Sequence, residues 1–268
     1  MPSFPFSSYL FFMPEIPDIE VFSKNLKKLL AGKQVTKVAL VNGKKLKDSP
    51  KELSQALEGQ KLLDVYRSGK ELRMQFSKNV LLGIHLMLTG DLHLFEGANE
   101  RKSTIVEFHF KDGTGLALTD RMKNAAIKLN PVDKAGVDAL DLNYKTLKEL
   151  LNRKAAIKNV LLDQDLIRGI GNSYSDEILW KTRISPFSKA NAIPDEKVKE
   201  LAVVIKKVLK DAIKKISKHY PDKINGEVKE FLQIHTKKKT ESPTGRPILT
   251  AERGMLLTYY TEEQVVYE

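Results

Sequence analysis

The sequence predicts an α+β protein: an N-terminal antiparallel β-sandwich or barrel with flanking helices, a helical second half, and a β-hairpin at the C-terminal end. Three observations predict it. Between residues 34 and 129, short β-rich runs alternate with turn signals, the pattern of antiparallel sheets. After residue 143 the apolar residues recur at helical spacing. The tail, 234–268, returns to strand-like runs around Thr244-Gly245-Arg246-Pro247, which reads as a hairpin.

The first helix opens at Pro14-Glu15-Ile16-Pro17-Asp18, where prolines and acids load a helix start. Ile19, Phe22, Leu26, Leu29 and Leu30 then follow on one face. The β region runs through 35–41, 62–66, 72–76, 80–86, 92–95, 105–110 and 115–118, separated by turns such as Val41-Asn42-Gly43 and Lys111-Asp112-Gly113. Seven or eight strands so spaced make two packed sheets or one closed sheet. Helical spacing returns with Leu147, Leu150 and Leu151 and continues through 155–162. A long helix over 195–218 places Leu201, Ile205, Val208, Ala212 and Ile216 on one face and lysines on the other.

At 268 residues the chain exceeds the usual single domain, so two domains are expected. No apolar run approaches the roughly 20 residues that cross a bilayer, and 11-13 is too short and lacks the basic flank of a signal peptide. There is no cysteine, which excludes a disulfide framework, a thiolate-held zinc and a cysteine nucleophile, and fits a reducing cytosol. A net charge of +11 suggests a polyanionic partner, nucleic acid first and an anionic membrane second.

The most informative string is Leu161-Leu162-Asp163-Gln164-Asp165-Leu166-Ile167-Arg168-Gly169-Ile170-Gly171-Asn172-Ser173-Tyr174-Ser175-Asp176-Glu177. It reads as a helix, a glycine turn and a second helix starting near Asn172, whose first amides make a phosphate site. The full string resembles the helix–two-turn–helix of the formamidopyrimidine-DNA glycosylase / endonuclease VIII family. That resemblance implies that the turn grips the DNA backbone at a lesion, assigning phosphate contacts to Asn172 and Gly171, with Lys154 just upstream as a DNA-contacting lysine. Met13-Pro14-Glu15-Ile16-Pro17-Asp18 is similar to the family's amino terminus. There the initiator Met is lost and the exposed proline amine is the nucleophile, which implies that Pro14 forms a Schiff base and Glu15 moves protons. Arg67-Ser68-Gly69-Lys70-Glu71 resembles the family's hairpin, which gives Lys70 a phosphate contact and a part in catalysis. Gly136-Val137-Asp138-Ala139-Leu140 looks like its interdomain linker.

Three departures stand out. Twelve residues precede Met13, and while they persist the Pro14 nitrogen is an amide; they are expected to be a non-native or disordered extension. The positions of the family's two zinc-binding Cys-x-x-Cys pairs read Glu241-Ser242-Pro243-Thr244-Gly245 and Thr258-Tyr259-Tyr260-Thr261, which resembles a zincless finger with no metal and no cofactor. The retained Arg253-Gly254 step implies that Arg253 meets phosphate at the damaged site. At the wedge that fills the gap left by an extrahelical base, Leu88 and Met122 take the void-filling slots, Met122 and Asn124 stand for the family's Arg and Phe, and Lys123 keeps a phosphate contact.

The expected organisation is an extension over 1–12, a catalytic β-sandwich domain over 13–135, a helix–two-turn–helix DNA-binding domain over 136–233 and a zincless hairpin finger over 234–268. The expected function is a base-excision-repair glycosylase and abasic-site lyase acting on oxidised bases in damaged double-stranded DNA, a cytoplasmic monomer without membrane contact. The competing reading is a non-catalytic protein on the same scaffold that binds DNA lesions or branched DNA. An RNA-binding basic domain has only the charge in its favour.

Overall fold

The computed structural model describes residues 13–42, 46, 48–253 and 256–268; the expected extension over 1–12 lies outside them. Helix α1 (Ile16–Leu30) leads into β1 (Val35–Leu40), α2 (Pro50–Leu57), β2 (Leu62–Ser68), β3 (Glu71–Phe76), β4 (Leu81–His85), β5 (Gly90–Glu96), β6 (Thr104–Phe110), β7 (Thr114–Asp120) and β8 (Ala126–Leu129). The strands form two four-stranded sheets, β1-β6-β7-β5 and β2-β3-β4-β8, with every pairing antiparallel. Their alternate residues share one core: Val38, Val106, Phe108, Leu116 and Leu92 from the first sheet meet Val65, Leu72, Met74, Leu82 and Ile127 from the second. The β region is therefore a sandwich rather than a closed barrel.

Helix α2 was not expected, although Ser49-Pro50-Lys51-Glu52 writes it. The Ser49 hydroxyl accepts the Glu52 N–H at 3.2 Å and the Glu52 carboxylate accepts the Ser49 N–H at 2.8 Å, a capping box with proline in the first turn.

A short strand β9 (Val137–Asp138) carries the chain into α3 (Tyr144–Leu151), α4 (Ile157–Leu162), β10 (Ile167–Arg168), α5 (Asn172–Lys181) and α6 (Asp195–His219). Their apolar faces close a second core around Leu147, Leu161, Ile178, Leu201, Ile205 and Leu209. The link between the two cores is hydrogen-bonded on both sides. Asp138 accepts N–H donors from both terminal nitrogens of the Arg67 guanidinium, at 2.6 and 3.1 Å, and the Gly69 N–H at 3.2 Å, while β9 pairs in parallel with β10. Helix α1 serves both cores, with Ile19, Phe22, Leu26 and Leu30 in the first and Ile16 in the second.

The C-terminal hairpin consists of β11 (Leu249–Arg253) and β12 (Leu256–Tyr260). It sits later than the turn residues suggested: Thr244-Gly245-Arg246 belongs to a separate tight turn in which the Ser242 N–H donates to the Arg246 carbonyl at 2.8 Å. Gly245 there takes φ +76°, a left-handed conformation that glycine adopts without strain.

Candidate active site

Two segments distant in sequence meet at the start of α5. Glu15 caps α1, its N–H donating to Asp18 Oδ2 at 3.2 Å. The Glu15 carboxylate, 3% exposed, crosses to the other domain and accepts the N–H groups of Gly171 at 2.6 Å, Ser173 at 2.8 Å and Tyr174 at 3.4 Å. An anion at a helix N-terminus is favoured by the unpaired amides and the helix dipole. Here the anion comes from the protein itself. The Gly171 amide, in the turn expected to contact DNA, donates to Glu15. The role of Gly171 is close approach, because a Cβ there would stand 2.5 Å from Glu15 Cδ and 2.7 Å from Lys70 Nζ.

The same measurement locates Lys70. It follows Gly69 in the β2–β3 turn, which Arg67 and Asp138 anchor against the linker, and its ammonium reaches the Glu15–Gly171 contact. Burial holds its pKa below the ordinary lysine value, against the pull of Glu15 and Glu227. Pro14 is buried and lines a cavity of about 560 Å³ whose wall also includes Leu88, Asp91, Arg121 and Glu227. Pro14, Glu15, Lys70 and Gly171 thus converge, and Leu88 shares the cavity.

Asn172 is the first residue of α5, and its Nδ2 donates to the Leu257 carbonyl of β12 at 2.9 Å. The hairpin is thereby tied to the glycine turn. Arg253 ends β11, but its side chain lies outside the described residues, as does Gly254. Met122 is 43% exposed and Lys123 exposed with φ +55°, on the loop whose Arg121 lines the cavity with Pro14. Lys154 is exposed before α4, whereas Lys158 is buried and pairs with Asp176 at 2.6 Å.

Sequence reasoning missed Asp120. Its carboxylate accepts the N–H groups of Met122 at 2.9 Å and of Asn124 and Ala125 at 2.6 Å, as well as the Thr89 hydroxyl. One side chain therefore fixes the loops that carry both Met122 and Leu88. The signal was faint: an acid five residues before the alanine whose amide it accepts.

The finger is held by acids. Asp176, fully buried, binds Lys158, accepts the Tyr259 N–H at 2.9 Å and lies 2.7 Å from His235 Nδ1. Glu177 accepts the N–H groups of Gln233, Ile234 and His235 at 2.8 to 3.0 Å. Around 241–245 and 258–261, Glu263 accepts the Thr244 hydroxyl at 2.7 Å, the Thr261 hydroxyl at 3.3 Å and Arg183 at 3.1 Å, and Ser242 pairs with Thr244 at 2.8 Å. These oxygens are turned on one another and contain no sulfur. They do not fit a structural zinc, and no group of three metal-ligating side chains occurs among the described residues.

The family model of the formamidopyrimidine-DNA glycosylase N-terminal domain matches residues 13–127, and that of the formamidopyrimidine-DNA glycosylase H2TH domain matches 136–221. The formamidopyrimidine-DNA glycosylase of Lactobacillus gasseri is 32% identical over 96% of this chain and 100% of that protein. Its counterpart in Lactobacillus helveticus is 35% identical over 75% of this chain and 78% of its own length. Among solved structures, Lactococcus lactis Fpg in complex with abasic-site DNA superposes with a TM-score of 0.83 at 23% identity, covering 92% of this chain and 97% of that one. MutM in complex with DNA containing carbocyclic 8-oxo-G gives 0.83 at 25% identity, covering 92% and 98%.

Proposed function

The chain belongs to the formamidopyrimidine-DNA glycosylase family, and on that footing we propose that it is a base-excision-repair glycosylase and abasic-site lyase that uses Pro14 as its nucleophile. Its substrate is damaged double-stranded DNA bearing oxidised bases, and it works as a cytosolic monomer. No helix among the described residues is long and apolar enough to cross a membrane. The observation that carries the reading is the Glu15 carboxylate on the amides of α5, which supports a prolyl end of α1 set against the glycine turn and Lys70.

The chemistry follows from residue type. A prolyl α-amine titrates near ~8, well below a lysine, so a useful fraction is neutral at pH 7. The positive end of α1 lowers it further. Its lone pair attacks the sugar C1′ as the bond to the damaged base breaks, the base leaving with the amine proton. The C1′–ring-oxygen bond then opens to give an iminium, which acidifies the C2′ proton. Glu15, an anion beside it, accepts that proton, and loss of the 3′ phosphate breaks the strand. Lys70, Lys123, Lys154, Asn172 and Arg253 supply the phosphate grip; Leu88 and Met122 fill the stack.

The test is borohydride trapping on an abasic-site duplex. Both cores are built from Ile16 onward, so a chain whose first residue is Pro14 keeps them. That chain should form a trapped adduct, and its Pro14→Gly variant should form none while binding the duplex within about threefold, a change well under 1 kcal/mol. An adduct that persists in the variant would assign the chemistry to another amine. Tight lesion binding with no adduct from either protein would establish the non-catalytic reading, which the exposed Met122 at the wedge favours.

A further inference from the structure

The loop after α6 brings a third carboxyl to Pro14. The segment 223–228, which includes Asn225-Gly226-Glu227-Val228, is fastened at four points. Asn25 donates to the Lys223 carbonyl at 2.8 Å, and Asn225 to the Leu92 carbonyl at 2.9 Å. The Gly226 N–H donates to Asp91 at 2.9 Å and the Val228 N–H to Asp18 at 3.0 Å. Anchors from α1 and β5 therefore hold a loop that belongs to the other domain. The Glu227 side chain, 3% exposed, forms part of the cavity wall with Pro14. Its Oε1 accepts the Ser173 hydroxyl at 3.3 Å, and its Oε2 lies 3.1 Å from Lys229 Nζ.

Glu15 is differently placed. Three backbone amides already take its oxygens, which suits an anion and poorly suits a group that must hand a proton to substrate. We propose that the two carboxyls divide the work: Glu15 serves as the base, and Glu227 is the acid that protonates the group leaving C1′ as the Pro14 iminium forms.

The proposal rests on Pro14 acting as the nucleophile. Addition of the Pro14 nitrogen to the opened abasic sugar gives a carbinolamine. The nitrogen lone pair then forms the C=N bond as the C1′–O bond breaks. The departing hydroxyl takes the Glu227 proton and leaves as water, and the new carboxylate is met by Lys229 and the Ser173 hydroxyl. The surroundings keep that proton in place until then. Burial pushes the Glu227 carboxyl up to about 8, with Lys229 opposing and Glu15 and Asp18 reinforcing. Lys70 from the β2–β3 turn and Tyr174 from α5 also face it, and Asp91, His93 and Arg121 share its cavity. A buried acid facing the same reacting centre as a separate base is a recurrent way to run acid and base steps at one pH.

Two measurements test this. In the full 268-residue chain, carbon-13 NMR of the Glu227 carboxyl should give a midpoint above pH 7; a midpoint in the ordinary glutamate range overturns the proposal whatever Pro14 does. In the chain that begins at Pro14, the trapping rate should fall on the alkaline side. Glu227→Gln should slow it about 100-fold and remove that alkaline limb, with partial rescue by Glu227→Asp. Lys229→Met, which removes the opposing cation, should shift the limb to higher pH. Trapping by Glu227→Gln at the parent rate and profile, or an alkaline limb unmoved by Lys229→Met, overturns the proposal. Absence of adduct in the parent removes the Pro14 reading itself.

Discussion

Helix α5 is gripped at both ends of its first two turns, and the two grips are built oppositely. At its start α5 supplies neutral amides and α1 supplies the charge, through Glu15. One turn later α5 supplies the charges, Asp176 and Glu177, and the finger segment supplies the donors. The first grip sets dipoles against an anion, with the Lys70 ammonium beside it rather than paired to it by a hydrogen bond. The second buries Lys158 against Asp176, so removing either partner strands a charge in the interior. The difference teaches where the molecule is brittle: breaking a buried ion pair costs more than loosening a capped helix end, even where the hydrogen bonds are equally short.

Asp176→Ala should therefore have the largest effect. It leaves Lys158 buried without its partner and removes the acceptor of Tyr259 N–H, and should destabilise the protein by about 3–5 kcal/mol in denaturant unfolding. A loss under about 1 kcal/mol would show that water replaces the carboxylate and that the finger grip is not brittle. Glu15→Gln should be milder, about 1–3 kcal/mol, because one amide oxygen survives to accept while the new NH2 faces a donor. Faster hydrogen exchange should be confined to the amides of Gly171, Ser173 and Tyr174. Exchange that rises equally in the finger would mean the two grips are one cooperative unit.

Two buried carboxyls also make the stability depend on pH. Burial pushes Asp18 up to about 7 and Glu227 up to about 8, so the folded protein holds two protons that the unfolded chain releases at ordinary carboxyl values. Stability from both groups is present in full below that ordinary range and is lost as pH rises through the folded values. The unfolding free energy should fall from about pH 5 to pH 8, by at most about 1.4 kcal/mol per pH unit for each group. Glu227→Gln should flatten the upper part of that fall, and an unchanged slope would show that Glu227 is ionised in the folded state.

What the sequence disclosed follows the reach of each cause. The α+β order, the long helix and the Gly169–Asn172 turn were legible because each arises within a few contiguous residues. So was Pro14-Glu15, a helix start whose acid has a local reason to be there. The capping box of α2 was equally local and was passed over because it lay inside a β-rich stretch. The partner of Glu15, by contrast, lies 156 residues away, and a glycine turn that reads as open to phosphate is filled from a distance. Asp120 and Glu227 carried little signal, since nothing near them in sequence names the loops they hold or face. The loss of cysteine was plain, but its replacement was not: Thr244 and Glu263 are 19 residues apart and carry no shared signature.

That replacement sets the smallest expected effect. The Glu263 side chain is about one-fifth exposed and gathers Thr244, Thr261 and Arg183 where the family's cysteines hold a metal. Each contact is an ordinary hydrogen bond or a partly screened ion pair, so Glu263→Ala should cost only about 1 kcal/mol, with increased exchange limited to the 241–247 turn and its neighbours. Chelators should change neither the unfolding midpoint nor duplex binding, because no thiolate is present for a metal to organise. The two results together separate the hairpin from a metal-held finger. A metal-held finger collapses on chelation and tolerates loss of a nearby carboxylate; this one should ignore the chelator and loosen when Glu263 is removed. Stoichiometric zinc in the purified protein, with destabilisation on its removal, would require another ligand set and would undo the contrast between the two grips on α5.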